Sequence, residues 1–192
     1  GDSILITATS SGASNFTWSP SGINNDSIYV STIGTFNYQV EVSSNNNCNA
    51  FASSNTVTVA IYPRPSDPVL MAPNGLTACE GDTLVLVVNS SGANHYTWQP
   101  SGPDNDTLYI TTVGSNSYTV SVSNSNNCSA LHASAPVNAT IYPAPSIPLL
   151  TLPNGSSACA GDSILITATS SGASNFTWSP SGDRKSTRLN SS

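Results

Sequence analysis

The sequence predicts an all-β chain built from tandem sandwich modules of about 80 residues each. The first observation behind this prediction is internal repetition. Residues 1–80 align with residues 81–160 without a gap, and nearly half of the aligned positions are identical. The second is composition: Ser, Thr, Asn, Gly and Pro dominate, and no apolar period of 3.6 residues is present, which disfavours helices throughout.

The repeat also predicts the domain boundaries. A third copy follows the second, and Gly161–Gly182 repeats Gly1–Gly22 letter for letter. Proline-rich segments at 63–68 and 143–148 are typical of short, fairly stiff linkers between modules. We therefore expect a module that lacks its first strand at 1–63, a complete module at 64–143, and the N-terminal part of a third module at 144–182.

The last ten residues, 183–192, depart from the repeat and resemble a translated sequencing adapter, so we expect a non-native tail there. The whole chain has a net charge of −6, with 4 Lys and Arg against 10 Asp and Glu. Outside the tail, Arg64 is the only Lys or Arg. Because this little positive charge cannot neutralise phosphates, nucleic acid and anionic membrane surfaces are not expected as partners. No apolar run approaches the ~20 residues of a membrane-spanning helix.

Strand signals recur along the complete module. Thr83–Asn89 is a short, apolar, β-branched run that predicts a buried strand, and Val137–Tyr142 predicts the strand that closes the module. Between them, apolar and polar residues alternate in three segments, as in strands with one buried face. The core that these patterns predict contains Trp18, Trp98, Tyr38, Tyr118 and Val120.

The order of the aromatic residues is typical of an immunoglobulin-like sandwich. Trp98 precedes Tyr118 in the way that a core Trp on strand C precedes a Tyr that enters strand F. Val120 stands where an antibody domain has its second core cysteine, so the usual bridge between the sheets is not expected. The cysteines lie instead before strand B and after strand F, at Cys79 and Cys128.

The regular register of the cysteines predicts disulfides and an oxidising compartment. We expect a Cys79–Cys128 bond within the complete module. The alternative, Cys48–Cys79 together with Cys128–Cys159, would bridge each linker and stays open. A metal site is not expected, because the chain has no Cys-x-x-Cys pair, and no cofactor is predicted.

No catalytic residue is predicted, and we expect the chain not to be an enzyme. The repeat replaces His95 with Asn and His132 with Ala, and each histidine lies in a polar, turn-like context, which favours surface histidines over a general base. Two functional interpretations are weaker than the structural interpretations of the same residues. Trp18, Trp98 and Trp178 could stack on sugars rather than fill a core, and Pro103–Asp106 could bind calcium rather than form a polar turn.

An ordered set of motifs is repeated in phase over 1–182. It consists of Cys79-Glu-Gly-Asp82, Tyr96-Thr-Trp98, Tyr118-Thr-Val-Ser-Val122 and Asn126-Asn-Cys128. This set resembles the Ig-like repeats of Bacteroidota surface proteins. The resemblance implies an extracellular or outer cell-surface location, export by type IX secretion and a part in gliding or adhesion. It implies no catalytic residues.

Within that resemblance, Asp followed by Ser or Thr and then an aliphatic residue is similar to the acceptor motif of the O-glycosylation system of Bacteroidota. The candidate acceptors are Ser3, Ser27, Thr83, Thr107 and Ser163. The same pattern also fits an ordinary turn that leads into a strand, and this alternative stays open.

The expected function is a non-catalytic spacer or stalk of a bacterial surface protein, with the neighbouring Ig-like repeats of the same chain as its partners. The alternative is a module that binds a glycan or protein ligand through loops at one pole, also as an accessory to a secreted polysaccharide-degrading enzyme. The loops are rich in Asn, Ser and Gly and poor in aromatic residues, which favours the spacer.

Overall fold

The computed structural model describes residues 2–44 and 51–179, and over these residues every regular element is a β-strand. The predicted all-β fold is confirmed. Cys48 and the expected tail at 183–192 lie outside the described residues. Contacts group the chain into two compact units. The first consists of residues up to Leu70, Val88–Asp106 and Thr119–Ala135, and the second of Met71–Val87, Thr107–Tyr118 and residues from Pro136 onward. The module boundaries at 63/64 and 143/144 therefore stay a prediction.

The first copy contains six described strands. They are β1 (Ile4–Thr7), β2 (Asn15–Ser19), β3 (Ser27–Val30), β4 (Gly34–Ser43), β5 (Ala52–Ser53) and β6 (Val57–Ile61). β1 pairs with β3 in one antiparallel sheet. The long strand β4 is the centre of the other sheet, with β2 on one edge and β5 and β6 on the opposite edge.

The middle copy contains seven strands. They are β7 (Val69–Met71), β8 (Thr77–Cys79), β9 (Leu84–Asn89), β10 (His95–Gln99), β11 (Thr107–Ile110), β12 (Gly114–Ser123) and β13 (Val137–Tyr142). One sheet has the order β11-β9-β7, and the other has the order β10-β12-β13-β8, in which only β8 and β13 run parallel. In the nomenclature of the immunoglobulin-like sandwich, the first sheet has the order E-B-A and the second has the order C-F-G-A′.

The third copy has two described strands, β14 (Leu149–Thr151) and β15 (Thr167–Thr169), which pair antiparallel. Across the copies, strand bounds recur with an offset of 80 residues. Asn15–Ser19 corresponds to His95–Gln99, and Gly34–Ser43 corresponds to Gly114–Ser123. In the first and middle copies, the repeated sequence therefore builds these strands at the same positions.

Burial alternates along the strands, so each sheet turns one face inward. All five residues predicted as core are buried: Trp18, Trp98, Tyr38, Tyr118 and Val120. In the first copy, Trp18, Tyr38 and Val40 belong to one buried cluster with Ile28, Val30 and Val59. The indole N–H, which would be costly to bury without an acceptor, donates to a backbone carbonyl in both the first and the middle copy: Trp18 to Asn25 at 2.8 Å and Trp98 to Asn105 at 3.0 Å.

Candidate functional site at the linker junctions

The first proline-rich linker is held by the loop that follows β12. Asn124 Nδ2 donates to the Pro63 carbonyl at 2.9 Å, and Arg64 Nη1 donates to the Ser129 carbonyl at 2.8 Å. These residues all belong to the first compact unit. The linker is thus fixed to the middle copy at two successive residues.

Arg64 also reaches back to the first copy. Its second guanidinium nitrogen, Nη2, forms a short ion pair with Asp2, which lies just before β1. The guanidinium carries donors in a rigid, planar arrangement, so one Arg can serve both acceptors at once. Arg64, the only Lys or Arg outside the expected tail, therefore joins the linker, the first copy and the loop of the middle copy.

Asn124 organises that loop. Its side chain is almost fully buried, and its Oδ1 accepts the backbone N–H groups of Asn126 at 3.0 Å and Cys128 at 3.1 Å. Asn127 adopts a positive φ of 59°, which Asn tolerates better than most residues. Local hydrogen bonds therefore hold the shape of the loop that contacts the linker.

A second contact fixes the linker further along. Asp67 accepts two hydrogen bonds from His132, one from the backbone N–H at 3.0 Å and one at Nδ1 at 2.7 Å. The side-chain hydrogen bond from His132, supported by its backbone N–H, lowers the pKa of Asp67 below its ordinary value of 3.8. Both side chains are solvent-accessible, so the contact orients the linker rather than adding much stability.

The second linker is fixed differently. Ala144 stands where the first linker has Arg64, and its backbone N–H donates to Glu80 Oε2 at 2.8 Å. The backbone N–H of Glu80 donates in turn to the Tyr142 carbonyl at 2.7 Å. This junction lies in the second compact unit. A carboxylate that accepts a backbone N–H of the linker thus takes the place of the guanidinium at the first junction.

One serine contact is common to both linkers. Ser66 exchanges hydrogen bonds with Ser91, with its N–H donating to the Ser91 carbonyl at 3.0 Å and its Oγ accepting the Ser91 N–H at 2.8 Å. Ser146 does the same with Ser171, at 2.9 and 2.8 Å. This serine contact ties the first linker to the turn after β9 and the second linker to the turn after β15.

The predicted Cys79–Cys128 disulfide is not formed. Cys79, Cys128 and Cys159 are free thiols, and Cys48 lies outside the described residues. The strand register gives the reason. β8, which ends at Cys79, pairs with the last residues of β13, and these lie beside Gly114, the first residue of β12. Cys128 instead follows the last residue of β12, at the opposite end of that strand. Ten residues of strand span about 30 Å, whereas disulfide-bonded Cα atoms lie within about 7 Å.

His95 and the loop at 103–106 form a polar contact. His95 Nδ1 and Asp104 Oδ2 are 2.9 Å apart, and Asp104 Oδ1 accepts the backbone N–H of Tyr96. The hydrogen bond from His95 lowers the pKa of Asp104, and burial raises the pKa of Tyr96. Within residues 2–44 and 51–179, no three His, Cys, Asp or Glu side chains are grouped so that they could hold a metal ion.

Trp18 and Trp98 are buried, so these two residues cannot serve as sugar platforms. Exposed aromatic rings occur elsewhere. Tyr29 on β3 and Tyr109 on β11 occupy the same repeat position, and they are 72% and 67% exposed. The predicted O-glycosylation acceptors are accessible to different degrees: Ser3, Thr83 and Ser163 are exposed, whereas Ser27 and Thr107 are half-buried at the start of a strand. Modification at these positions stays a prediction.

Three residues that matter at the junctions and edges were not predicted from the sequence. Asn124 and Arg64 hold the first linker, and Ser134 Oγ accepts the N–H of Val120 at 3.0 Å, just past the part of β12 that pairs with β13. Ser54 makes the same contact with Val40 in the first copy. Ser54 and Ser134 were detectable, because they are one of only two identical pairs in an otherwise dissimilar ten-residue stretch.

The described part of the chain contains no helix long and apolar enough to cross a membrane.

The chain matches no known protein family and no curated protein. Among solved structures it is similar to the fibronectin(III)-like modules of Clostridium thermocellum CbhA, at 12% identity and a TM-score of 0.37, covering 74% of this chain and 85% of that chain. It is also similar to the amphioxus IgVJ-C2 molecule, at 13% identity and a TM-score of 0.40, covering 73% and 97% of the two chains.

Proposed function

We propose that the chain is a non-catalytic spacer, a piece of a stalk that holds other parts of a surface protein at a distance. The observation that carries this proposal is the first junction. A stalk needs linkers that keep successive modules in a fixed orientation, and a proline-rich linker alone only restricts the backbone. Here Arg64 and Asn124 add side-chain contacts on both sides of the linker.

The resemblance to Bacteroidota surface repeats supports an extracellular or outer-surface location, with the neighbouring Ig-like repeats as partners. The very low content of Lys and Arg fits such a place, because it limits cleavage by proteases that cut after basic residues. Type IX export, a role in gliding or adhesion, and glycan on Ser3, Ser27, Thr83, Thr107 or Ser163 belong to this proposal.

The test of the spacer is whether the first and middle copies tumble together. We expect backbone ¹⁵N relaxation of the full chain to give one rotational correlation time for β2 and β4 and for β10 and β12. Arg64→Ala should separate the correlation times of the two copies, because it removes the contacts to Asp2 and Ser129. The substitution gives the first linker the residue that the second linker has at the same repeat position, Ala144.

An Arg64→Lys variant serves as a control, because a lysine retains the charge but cannot present two coplanar donors. We expect the difference between the correlation times of the two copies to be larger in Arg64→Lys than in the native chain and smaller than in Arg64→Ala. Independent tumbling of the two copies in the native chain would contradict a stiff stalk.

A second function is favoured by one observation, the exposed Tyr29 and Tyr109 on the outer faces of β3 and β11. Exposed aromatic rings at a fixed repeat position could bind a glycan or a protein ligand, also as an accessory to a polysaccharide-degrading enzyme. A glycan array probed with the full chain tests this function. Specific binding that is lost in Tyr109→Ala and kept in Tyr142→Ala, another exposed tyrosine, would replace the spacer by a binding module.

A further inference from the structure

Cys128 lies where the middle copy meets the first linker. Asn124, whose Nδ2 donates to the Pro63 carbonyl at 2.9 Å, also accepts the backbone N–H of Cys128 at 3.1 Å. A single side-chain amide therefore connects the linker backbone with the backbone of Cys128. Arg64 of the linker contacts the next residue, Ser129, at 2.8 Å. Cys128 is half-buried and its thiol is free, so the first junction presents a thiol on the side of the copy that follows the linker.

Cys79 lies beside the second linker. It is the last residue of β8 and pairs with Tyr142, the residue directly before that linker. Glu80, the next residue, accepts the backbone N–H of Ala144 at 2.8 Å. Cys79 is exposed and its thiol is free. The second junction therefore presents a thiol on the side of the copy that precedes the linker.

The acidic residue after Cys79 shows that both cysteine positions belong to the same kind of junction. Asp82 lies three residues after Cys79, and its Oδ2 accepts the backbone N–H of Cys79 at 3.3 Å. Asp2 is the counterpart of Asp82, and it forms the ion pair with Arg64, whose other terminal nitrogen contacts the loop of Cys128. The Cys79 position of a copy therefore lies next to the carboxylate that this guanidinium binds.

The linker backbone leads to the same conclusion by a separate route. Tyr62 is the counterpart of Tyr142, so in the repeat it is the residue that pairs with the Cys79 position of the first copy. The residue after Tyr62 is Pro63, whose carbonyl binds Asn124. Two routes, one through the linker backbone and one through the guanidinium, thus bring the Cys79 position of one copy to the Cys128 loop of the next.

We infer that, where two complete copies follow each other, the cysteine at the Cys79 position of the first forms a disulfide with the cysteine at the Cys128 position of the second. This bond crosses the linker and differs from a Cys79–Cys128 bond within one module, which the strand register prevents. It forms by exchange with a disulfide oxidant, which takes up two electrons and both thiol protons and leaves as two thiols. The bond fixes successive modules to each other whether the array is a spacer or a binding module.

The test adds the Cys79 position to the first copy of the full chain. Four residues, Thr-Ala-Cys-Glu, which is the sequence of Thr77–Glu80, are joined to the N-terminus before Gly1. After treatment with oxidised glutathione, mass spectrometry of a non-reduced chymotryptic digest should show the added cysteine linked to Cys128. We expect this bond to survive a glutathione mixture roughly tenfold more reducing than one that keeps Cys79 and Cys159 unbonded, because the junction holds the two thiols together.

Two matched controls make the result specific. The extension Thr-Cys-Ala-Glu moves the added cysteine by one residue, to the opposite face of the strand, and should lose the bond. Cys128→Ser in the original extension should leave the added cysteine open to alkylation. The inference is overturned by a bond from the added cysteine to Cys48, Cys79 or Cys159, by an added cysteine that stays alkylatable beside Cys128, or by equal bonding of the shifted cysteine.

Discussion

Residues 2–19 and 162–179 have the same sequence and adopt different structures. In the first copy this segment forms β1 and β2, and in the third copy it forms only β15. The clearest difference is at the tryptophan, which is 3% exposed at Trp18 and 45% exposed at Trp178. Identical local propensity therefore gives strands and a core only where partner strands are present.

The partners differ in a complementary way. In the first copy the segment pairs with β3 and β4, whereas in the third copy its described pairing is with β14 alone. The middle copy has partners on both edges of the corresponding strand, β9. Its Leu84 is 1% exposed, against 42% for Ile4 and 40% for Ile164 at the equivalent positions. Full burial of this strand thus requires both neighbours, and either one alone leaves it partly open.

The largest expected effect tests the tryptophan itself. Trp18→Ala should destabilise the first copy by about 3–5 kcal/mol, because it empties a buried site and removes the hydrogen bond to Asn25. Trp178→Ala should cost less than about 1 kcal/mol, because the ring is half-exposed. Urea unfolding followed by far-UV circular dichroism measures both. Equal losses would show that the two identical segments have equivalent environments.

A graded series along the same strand sharpens the comparison. Leu86 is fully buried, its counterpart Ile6 is half-buried, and Ile166 is 47% exposed. Leu86→Ala should cost about 2–5 kcal/mol, with Ile6→Ala lower and Ile166→Ala near zero. The same urea experiment ranks the three variants. A cost for Ile6→Ala as large as that for Leu86→Ala would contradict the weaker packing of β1.

Much of the fold was predictable from the sequence because the repeat fixed the phase of each strand. Trp98 and Tyr118 identified strands C and F, and their alternation with polar neighbours identified the buried face. The segment at 162–179 shows the limit of this reasoning. Its sequence predicts the same strands as residues 2–19, but pairing depends on residues far away in the chain.

The junctions were harder to predict for a related reason. The Cys79–Cys128 prediction failed because sequence separation does not show that β8 lies parallel to β13, at the end of β12 opposite to Cys128. The roles of Arg64 and Asn124 depend on contacts between a linker and a loop about 60 residues later. Such contacts follow from topology, which periodicity alone does not supply.

Amide exchange tests the same comparison without mutation. Ile4 and Ile6 lie in β1 and face β3, whereas Ile164 and Ile166 lie outside any described strand. We expect the amides of Ile4 and Ile6 to exchange roughly tenfold more slowly, or slower still, than those of Ile164 and Ile166, because paired amides exchange only when the structure opens. Nuclear magnetic resonance resolves the two sets. Similar rates would mean that β1 and β3 open as readily as an unpaired segment.

The smallest expected effect concerns the linkers that precede the middle and third copies, where Asp67 corresponds to Ile147. Because contact with His132 lowers the pKa of Asp67, its carboxylate stabilises the folded chain above pH 3.8, and this contribution is lost as the pH falls through the lowered pKa. Asp67→Asn should therefore weaken the loss of stability on acidification below about pH 4. Urea unfolding at several pH values measures it, and a double variant with His132→Ala should add nothing further. An unchanged acid dependence in Asp67→Asn would show that the contact does not distinguish the two linkers.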